Sequence, residues 1–454
     1  MKQITIASIA VALGASAWAT DNLSFQNSLS QVVVQDNLWY NPALIADVKQ
    51  QVAATTGGNG GVAFNAFDQT IAIHAGKVST PQFDGMDYLG SGRLPTAADA
   101  VDIFVGGKLF GQSGLRLSLV QNTESEPAVY QIAAPGGGTI HLTEEPHTFD
   151  ANGDQLSAEF RGNTETTAYS KYGISFGQVQ PKFAYSAGIS VPLFNNQRLI
   201  DYTATNAQQG SATLTTEYKE NEQAKSGLSF ELHSNNRYYF QPTLYLGADF
   251  QLNRYVTEGI VSQLEITTGA EDNESQTQRN FSKLQLVGDL TLGLIRQSGA
   301  STLRIEQGIG YERVSGKDEQ YATEVRGAND PTGVESSSNA VEQTIRLPLH
   351  ASIEAKTGDK WSWRAGVKAD LLNWVINKTL TDKNEPGPNG FELEYTKLDS
   401  KGSRRVTDGA ELLLGLGWQP VEKLSINAVL NQAFITEGLF DNGLASQVSV
   451  SYEF

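Results

Sequence analysis

His74, His141, His147, His233 and His350 are the side chains through which a metal site or a general base would first show itself. None stands at a metal-ligand spacing from another ligand, and none accompanies a nucleophile motif. Asp150-Ala151-Asn152-Gly153-Asp154 has the alternating acids of a calcium loop, but Gln155 holds the position that needs glycine and Arg161 the one that needs a bidentate acid. No catalytic set, metal site or cofactor is expected. The charged residues fall instead at alternate positions of long segments: Asp249 and Asp289, Arg304 and Glu306, Arg346, His350 and Glu354, then Arg364, Lys368, Asp370 and Glu411. Mixed charges on one enclosed face do one of two things. They pair with each other around whatever fills the interior, or they line a path for an ion or solute.

The elements that position these charges are strands. Val341, Ile345, Leu347, Leu349, Ala351, Ile353 and Ala355 alternate with Glu342, Thr344, Arg346, His350, Ser352 and Glu354. After Lys356-Thr357-Gly358-Asp359-Lys360, Trp361, Trp363, Ala365, Val367, Ala369 and Leu371 alternate with Ser362, Arg364, Lys368 and Asp370. A period of two sends the sets to opposite faces, and glycine supplies the turn. The same pattern predicts hairpins about Pro420-Val421-Glu422, Gln297-Ser298-Gly299, Ser234-Asn235-Asn236, Val179-Gln180 and Gly111-Gln112-Ser113. With one strand over 62–78 and a closing strand, the expectation is about 14 antiparallel strands, an even number as bacterial barrels have. Long polar connections, such as 315–339 and 378–405, fall opposite the short turns, as external loops do. Trp361, Trp363 and Trp418 flank short turns, where an interfacial belt forms.

The ends of the chain agree. Lys2, the apolar run Ile4 to Leu13 and Ala17-Trp18-Ala19 form a signal peptide cut after Ala19. In the last strand Val448, Val450, Tyr452 and Phe454 share one face, and Gln447, Ser449, Ser451 and Glu453 the other. An apolar stripe ending in an aromatic is what a lipid-facing closing strand requires, and the barrel-assembly machinery is the partner expected to read it. The chain has no cysteine, which removes a lipid anchor on cysteine and any disulfide framework. Its net charge of −17 argues against nucleic acid. Mean hydropathy of −0.30 does not argue against a membrane, because strands that alternate apolar-out and polar-in average to low values. The fold class expected is therefore an all-β transmembrane antiparallel barrel in the bacterial outer membrane, contacting its lipid.

Residues 20–61 do not alternate. Asn41 can cap a helix with Pro42 at its first position, running to about Ala53, and Gly57-Gly58-Asn59-Gly60-Gly61 makes a hinge. The expected organisation is a signal peptide at 1–19, a plug segment at 20–61 and a barrel at 62–454. An Asn41-Pro42-Ala43 tripeptide in such a segment, before a barrel of this strand number, resembles the FadL-type outer-membrane transporters of hydrophobic compounds. The resemblance implies a hatch inside a 14-stranded barrel, with Asn41, Pro42 and Ala43 in the hatch. It also implies passive uptake of fatty acids or hydrocarbons that leave sideways into the membrane. Leu44 departs from the small residue usual after the alanine. Two other functions stay open: a general porin with a polar lumen, and a structural or secretion-platform barrel that acts through its external loops. None of the three is an enzyme.

Overall fold

The computed structural model describes residues 38–39, 41–55, 59–79, 97–108, 112–126, 131–133, 139–141, 147–149, 155–207, 214–267, 273–326, 334–385, 396–400, 403–405, 408–430 and 445–454. The signal segment with Ala17 and Ala19, residues 20–37 and the calcium-like loop at 150–154 lie outside them.

The wall begins with β1 (Gln51–Thr55), β2 (Gly60–Ala66), β3 (Gln69–Ser79), β4 (Ala97–Gly107) and β5 (Gln112–Glu126). Two three-residue strands, β6 (Gln131–Ala133) and β7 (Thr139–His141), pair only with each other, and β8 (His147–Phe149) pairs with the start of β9 (Gln155–Gln180). The wall continues through β10 (Phe183–Ala207), β11 (Leu214–Ser226), β12 (Phe230–Gln241), β13 (Leu244–Thr267), β14 (Asn273–Ser298), β15 (Ser301–Arg326), β16 (Val334–Thr357) and β17 (Trp361–Glu385). β18 (Thr396–Ser400), β19 (Ser403–Arg405), β20 (Asp408–Val421), β21 (Leu424–Leu430) and β22 (Ala445–Glu453) complete it.

Every wall pairing is antiparallel, and β22 pairs with β1, Gln51 opposite Glu453, which closes the sheet. β11 and β12 are halves of one stave, since both lie between β10 and β13, and β18, β19 and β20 are pieces of another, since they pair in succession along the same edge of β17. The barrel therefore has 16 staves, not 14. The break between β11 and β12 is stitched by side chains: Ser226 Oγ accepts from Phe194 N–H and Ser229 Oγ from Val256 N–H, each at 3.0 Å.

Three sequence expectations fail for identifiable reasons. The span 62–78 is a hairpin, because Phe67 (φ 53°) and Asp68 (φ 60°) turn the chain within two residues. Both angles lie where a mirror-image hairpin turn needs them. The proposed helix is a 3-10 helix over Pro42–Asp47, after which the chain is already β1, part of the wall. Ser234-Asn235-Asn236 is no turn, for these residues pair with both β10 and β13, and the turn falls at Pro242-Thr243. Ser234 and Asn236 share the outer face with Tyr238 and Phe240, and Asn236 donates to Ser234 Oγ at 2.9 Å.

The predicted loops at 315–339 and 378–405 are largely strand as well. β15 and β17 run to Arg326 and Glu385, so β15 spans 26 residues, roughly 85 Å along its axis against about 25 Å of apolar band. Above the band both faces meet water, the alternation fades, and only the ladder shows that the strand goes on.

On the outer face Leu290, Leu292 and Leu294 of β14 are 44–52% exposed, as are comparable residues around the wall. Trp361 and Trp418 stack at the turn end with ring centroids 5.6 Å apart. Inside, Val120, Tyr169, Phe194, Ala224 and Tyr255 form one buried cluster, and Leu38, Ile45, Ala63, Ala72 and Phe104 another. Among the described residues no helix is long and apolar enough to cross a membrane.

Candidate functional site

β4, β5 and β9 lie side by side, and Gly106, Gly114 and Gly177 stand opposite one another in their ladders. All three face inward, since the exposed Ile103, Leu117 and Ile174 hold the other parity of the same strands. The row has no side chains, and the N-terminal segment lies in the space. A Cβ at Gly114 would stand 2.0 Å from the Pro42 carbonyl oxygen, one at Gly177 2.0 Å from Asn41 Oδ1, and one at Gly106 2.3 Å from Ile45 Cγ2. Glycine here serves close approach of one main chain to another. The segment keeps its shape by itself. Ala43 N–H donates to Asn41 Oδ1 at 3.1 Å, Pro42 needs no donor at the first helical position, and Leu44 and Val48 donate within the segment.

Two residues before the cap, a polar catch and an aromatic contact meet. Trp39 Nε1–H donates to Asp102 Oδ2 at 2.8 Å, while Arg116 Nε donates to Asp102 Oδ1, also at 2.8 Å. The indole meets Phe104 edge-on at 5.2 Å and His74 at 5.0 Å, and the Arg116 guanidinium lies over the Phe104 ring. Asp102 is buried, and its two oxygens are each bonded, one to the wall and one to the segment. Leu38 and Ile45 are fully covered. At its other end the segment is tied by Asp47, which accepts from Gln112 at 2.7 Å and pairs with Lys108 at 3.5 Å, and by Lys49, which pairs with Glu453 at 2.8 Å.

Elsewhere the inner wall uses glycine differently. In the ladder Tyr245, Gly293, Glu306 and His350 form one row across β13 to β16. The Tyr245 ring lies over Gly293, where a Cβ would meet it at 2.1 Å, and its hydroxyl donates to Glu306. His350 Nδ1 is 3.3 Å and Arg237 Nη2 3.7 Å from the same carboxylate, so one buried acid collects three partners. Asp249, Asp289, Gly310 and Arg346 form the row two further along, past Gly247, Thr291 and Gly308. Arg346 reaches across Gly310 to both oxygens of Asp289, at 3.1 and 3.2 Å. Arg364 pairs with Glu354 at 3.3 Å.

The residues proposed from sequence are thus placed as follows. Asn41, Pro42 and Ala43 sit on the glycine row. Arg346 joins Asp289, His350 joins Glu306, and Glu354 joins Arg364. Lys368 stands in register between His350 and Glu411, and Asp370 opposite Pro348 and Asp408. Tyr452 and Phe454 are half exposed on the outer face. Trp39, Asp102, Arg116 and the glycine row were not foreseen. Asp102 and Arg116 share one hairpin and one parity, but a turn centred on Gly111 to Ser113 sets the hairpin out of register. The structure puts Gly106 opposite Gly114.

No protein-family model and no curated protein matches the chain. Among solved structures it is similar to a mutant of the ferric enterobactin receptor from Pseudomonas aeruginosa in complex with enterobactin, at 10% identity and a TM-score of 0.26, covering 89% of this chain and 79% of that one. The FrpB iron transporter from Neisseria meningitidis gives 9%, 0.26, 91% and 82%, and the copper transporter OprC gives 7%, 0.22, 89% and 80%. Likeness of this degree says nothing of cargo or mechanism. The resemblance to FadL-type transporters is not upheld. The wall has 16 staves where that family has 14, and β1 and the start of β2 are built from residues assigned to the hatch. What stands is a closed antiparallel wall, apolar outside and charged within, of the kind that resides in the bacterial outer membrane.

Proposed function

We propose that this chain is an outer-membrane channel for small polar or charged solutes. The observation that carries the reading is the inner face of β13 to β17, where Asp289, Glu306, Arg346, His350, Glu354 and Arg364 follow one another in cross-strand ion pairs. Such a lining favours water and ions, and a wall of 16 staves is wide enough for an aqueous channel. It does not suit an apolar cargo, so the polar-lumen reading is preferred to fatty acid uptake. Residues 38–39 and 41–50, lying against the glycine row, serve as the plug segment that narrows the turn end of the lumen. Tyr452 and Phe454 suit a closing strand recognised by the barrel-assembly machinery.

Planar-bilayer recording of the refolded chain tests this. Stable stepwise ion conductance is expected. Its absence, in barrel shown to be folded by heat-shifted gel mobility, would sink the channel and favour a platform that acts through its external loops.

A further inference from the structure

We infer that the glycine row, with Asp102 and Arg116, is a peptide-binding seat on the inner wall that Leu38 to Asp47 occupies reversibly, so that vacating it widens the channel. This deepens the channel reading above and rests on it.

Three observations support a reversible fit. First, the wall is complete without the segment. Asp102 keeps Arg116 at 2.8 Å when Trp39 leaves, so no buried charge is stranded. Removing one partner of a buried pair is the step that destabilises strongly, and release avoids it. Second, the segment joins no ladder. Its backbone-to-backbone bonds among the described residues are internal, Leu44 to Asn41 and Val48 to Ile45, and its main chain touches the wall through one long bond, Trp39 O accepting from Arg116 Nη1 at 3.5 Å, so it departs with its own fold intact. Third, its outer ties are exposed. Lys49 and Lys108 are 63% and 72% exposed, and pairs of that kind hold weakly in water.

The seat also has a definable ligand. Gly106, Gly114 and Gly177 admit only a main chain or a small residue pressed to the wall. Asp102 accepts one N–H from an aromatic ring that Phe104 and His74 flank edge-on. A short peptide with an indole just ahead of an Asn-Pro turn satisfies both, and the chain supplies one in cis.

The chain's lack of cysteine makes the test clean. Ile45→Cys, at a fully buried position, reports release by its rate of maleimide labelling in the folded, lipid-embedded barrel. Adding Trp39→Ala removes a charge-assisted bond and a partly buried ring, and at least about tenfold faster labelling is expected, with raised conductance. Asn41→Cys with Gly177→Cys places two sulfurs within bonding reach, since a Cβ at Gly177 lies 3.1 Å from Asn41 Cγ and its nearest neighbours all belong to the segment, and oxidation should hold conductance at its lowest until a reductant restores it. Unchanged labelling in the Trp39→Ala variant overturns the seat. Faster labelling without higher conductance overturns its control of the channel. A labelling response with no conductance in any variant, reduced or oxidised, instead sinks the channel reading and leaves the seat standing.

Discussion

The inner wall over β4, β5 and β9 and the inner wall over β13 to β17 share a device and use it for different ends. In both, an inward glycine leaves a gap in a row of cross-strand neighbours. On β14 and β15 the gaps at Gly293 and Gly310 are filled by the wall's own side chains. Tyr245 crosses one to reach Glu306, and Arg346 crosses the other to reach Asp289. Each crossing ties strands that are not adjacent, which stiffens the sheet sideways. On β4, β5 and β9 the gap is filled by a separate stretch of chain, which meets the wall by packing and a few polar bonds. One sector is integral to the barrel and the other carries a removable layer. A glycine facing inward is therefore no guide to flexibility by itself; what fills the gap decides.

The comparison breaks first at Glu306. Its carboxylate is buried and receives Tyr245, His350 and Arg237. Glu306→Ala removes the buried acid that Tyr245, His350 and Arg237 share, and a loss of roughly 3–5 kcal/mol is expected, read as a lowered urea midpoint for the barrel in lipid. A loss below about 1 kcal/mol, the size of an exposed pair, would mean that this sector is not integral at all.

Paired glycine variants sharpen the contrast. In Gly293→Ala the new methyl meets the Tyr245 ring, and overpacking of about 1–3 kcal/mol falls on the barrel itself. In Gly114→Ala the methyl meets the Pro42 carbonyl oxygen, 2.0 Å away, and the segment can yield. The expected result is a urea midpoint lowered in the first variant. The second should keep the parent midpoint while protease cuts near Leu44 sooner. Equal midpoint losses in both would erase the distinction between integral and removable.

Much of this architecture is legible from residues alone, and the lapses are physical. Alternation over 341–375 gives the outer and inner faces correctly because lipid on one side and charge on the other enforce it. The hairpin at Phe67-Asp68 hides because Asp68 is a turn residue but Phe67, bulky and at positive φ, is not. Yet the apolar stripe changes parity there, from Val62 and Phe64 to Ile71 and Ile73, as a two-residue turn demands. That signal was available. Strand ends beyond the membrane were not, since Lys317, Asp318 and Glu319 sit on a ladder whose two faces are alike in polarity. Nor was the seat: Trp39 and Asp102 are 63 residues apart, and only the register of β4 on β5 brings Arg116 to both.

A smaller change tests the integral sector from another side. Arg346→Lys keeps the charge opposite Asp289 but loses the reach of the guanidinium, whose Nη2 alone meets both carboxylate oxygens across Gly310. Both side chains are about a fifth to a quarter exposed, so a loss near 1 kcal/mol is expected, measured as above. A neutral result would show that the crossing of Gly310 depends on charge and not on geometry.

The smallest effect belongs to the mouth. Lys49 pairs with Glu453 at 2.8 Å, joining the segment to the last stave, but the lysine is 63% exposed. An exposed pair contributes about 0–1 kcal/mol and is screened by salt. Lys49→Ala should leave the urea midpoint within error and quicken labelling at an Ile45→Cys reporter less than twofold, at any ionic strength. If labelling instead rose as steeply as in the Trp39→Ala variant, and rose further in salt, the hold on the segment would lie at the rim. Trp39 and the glycine row would then shape the segment without retaining it.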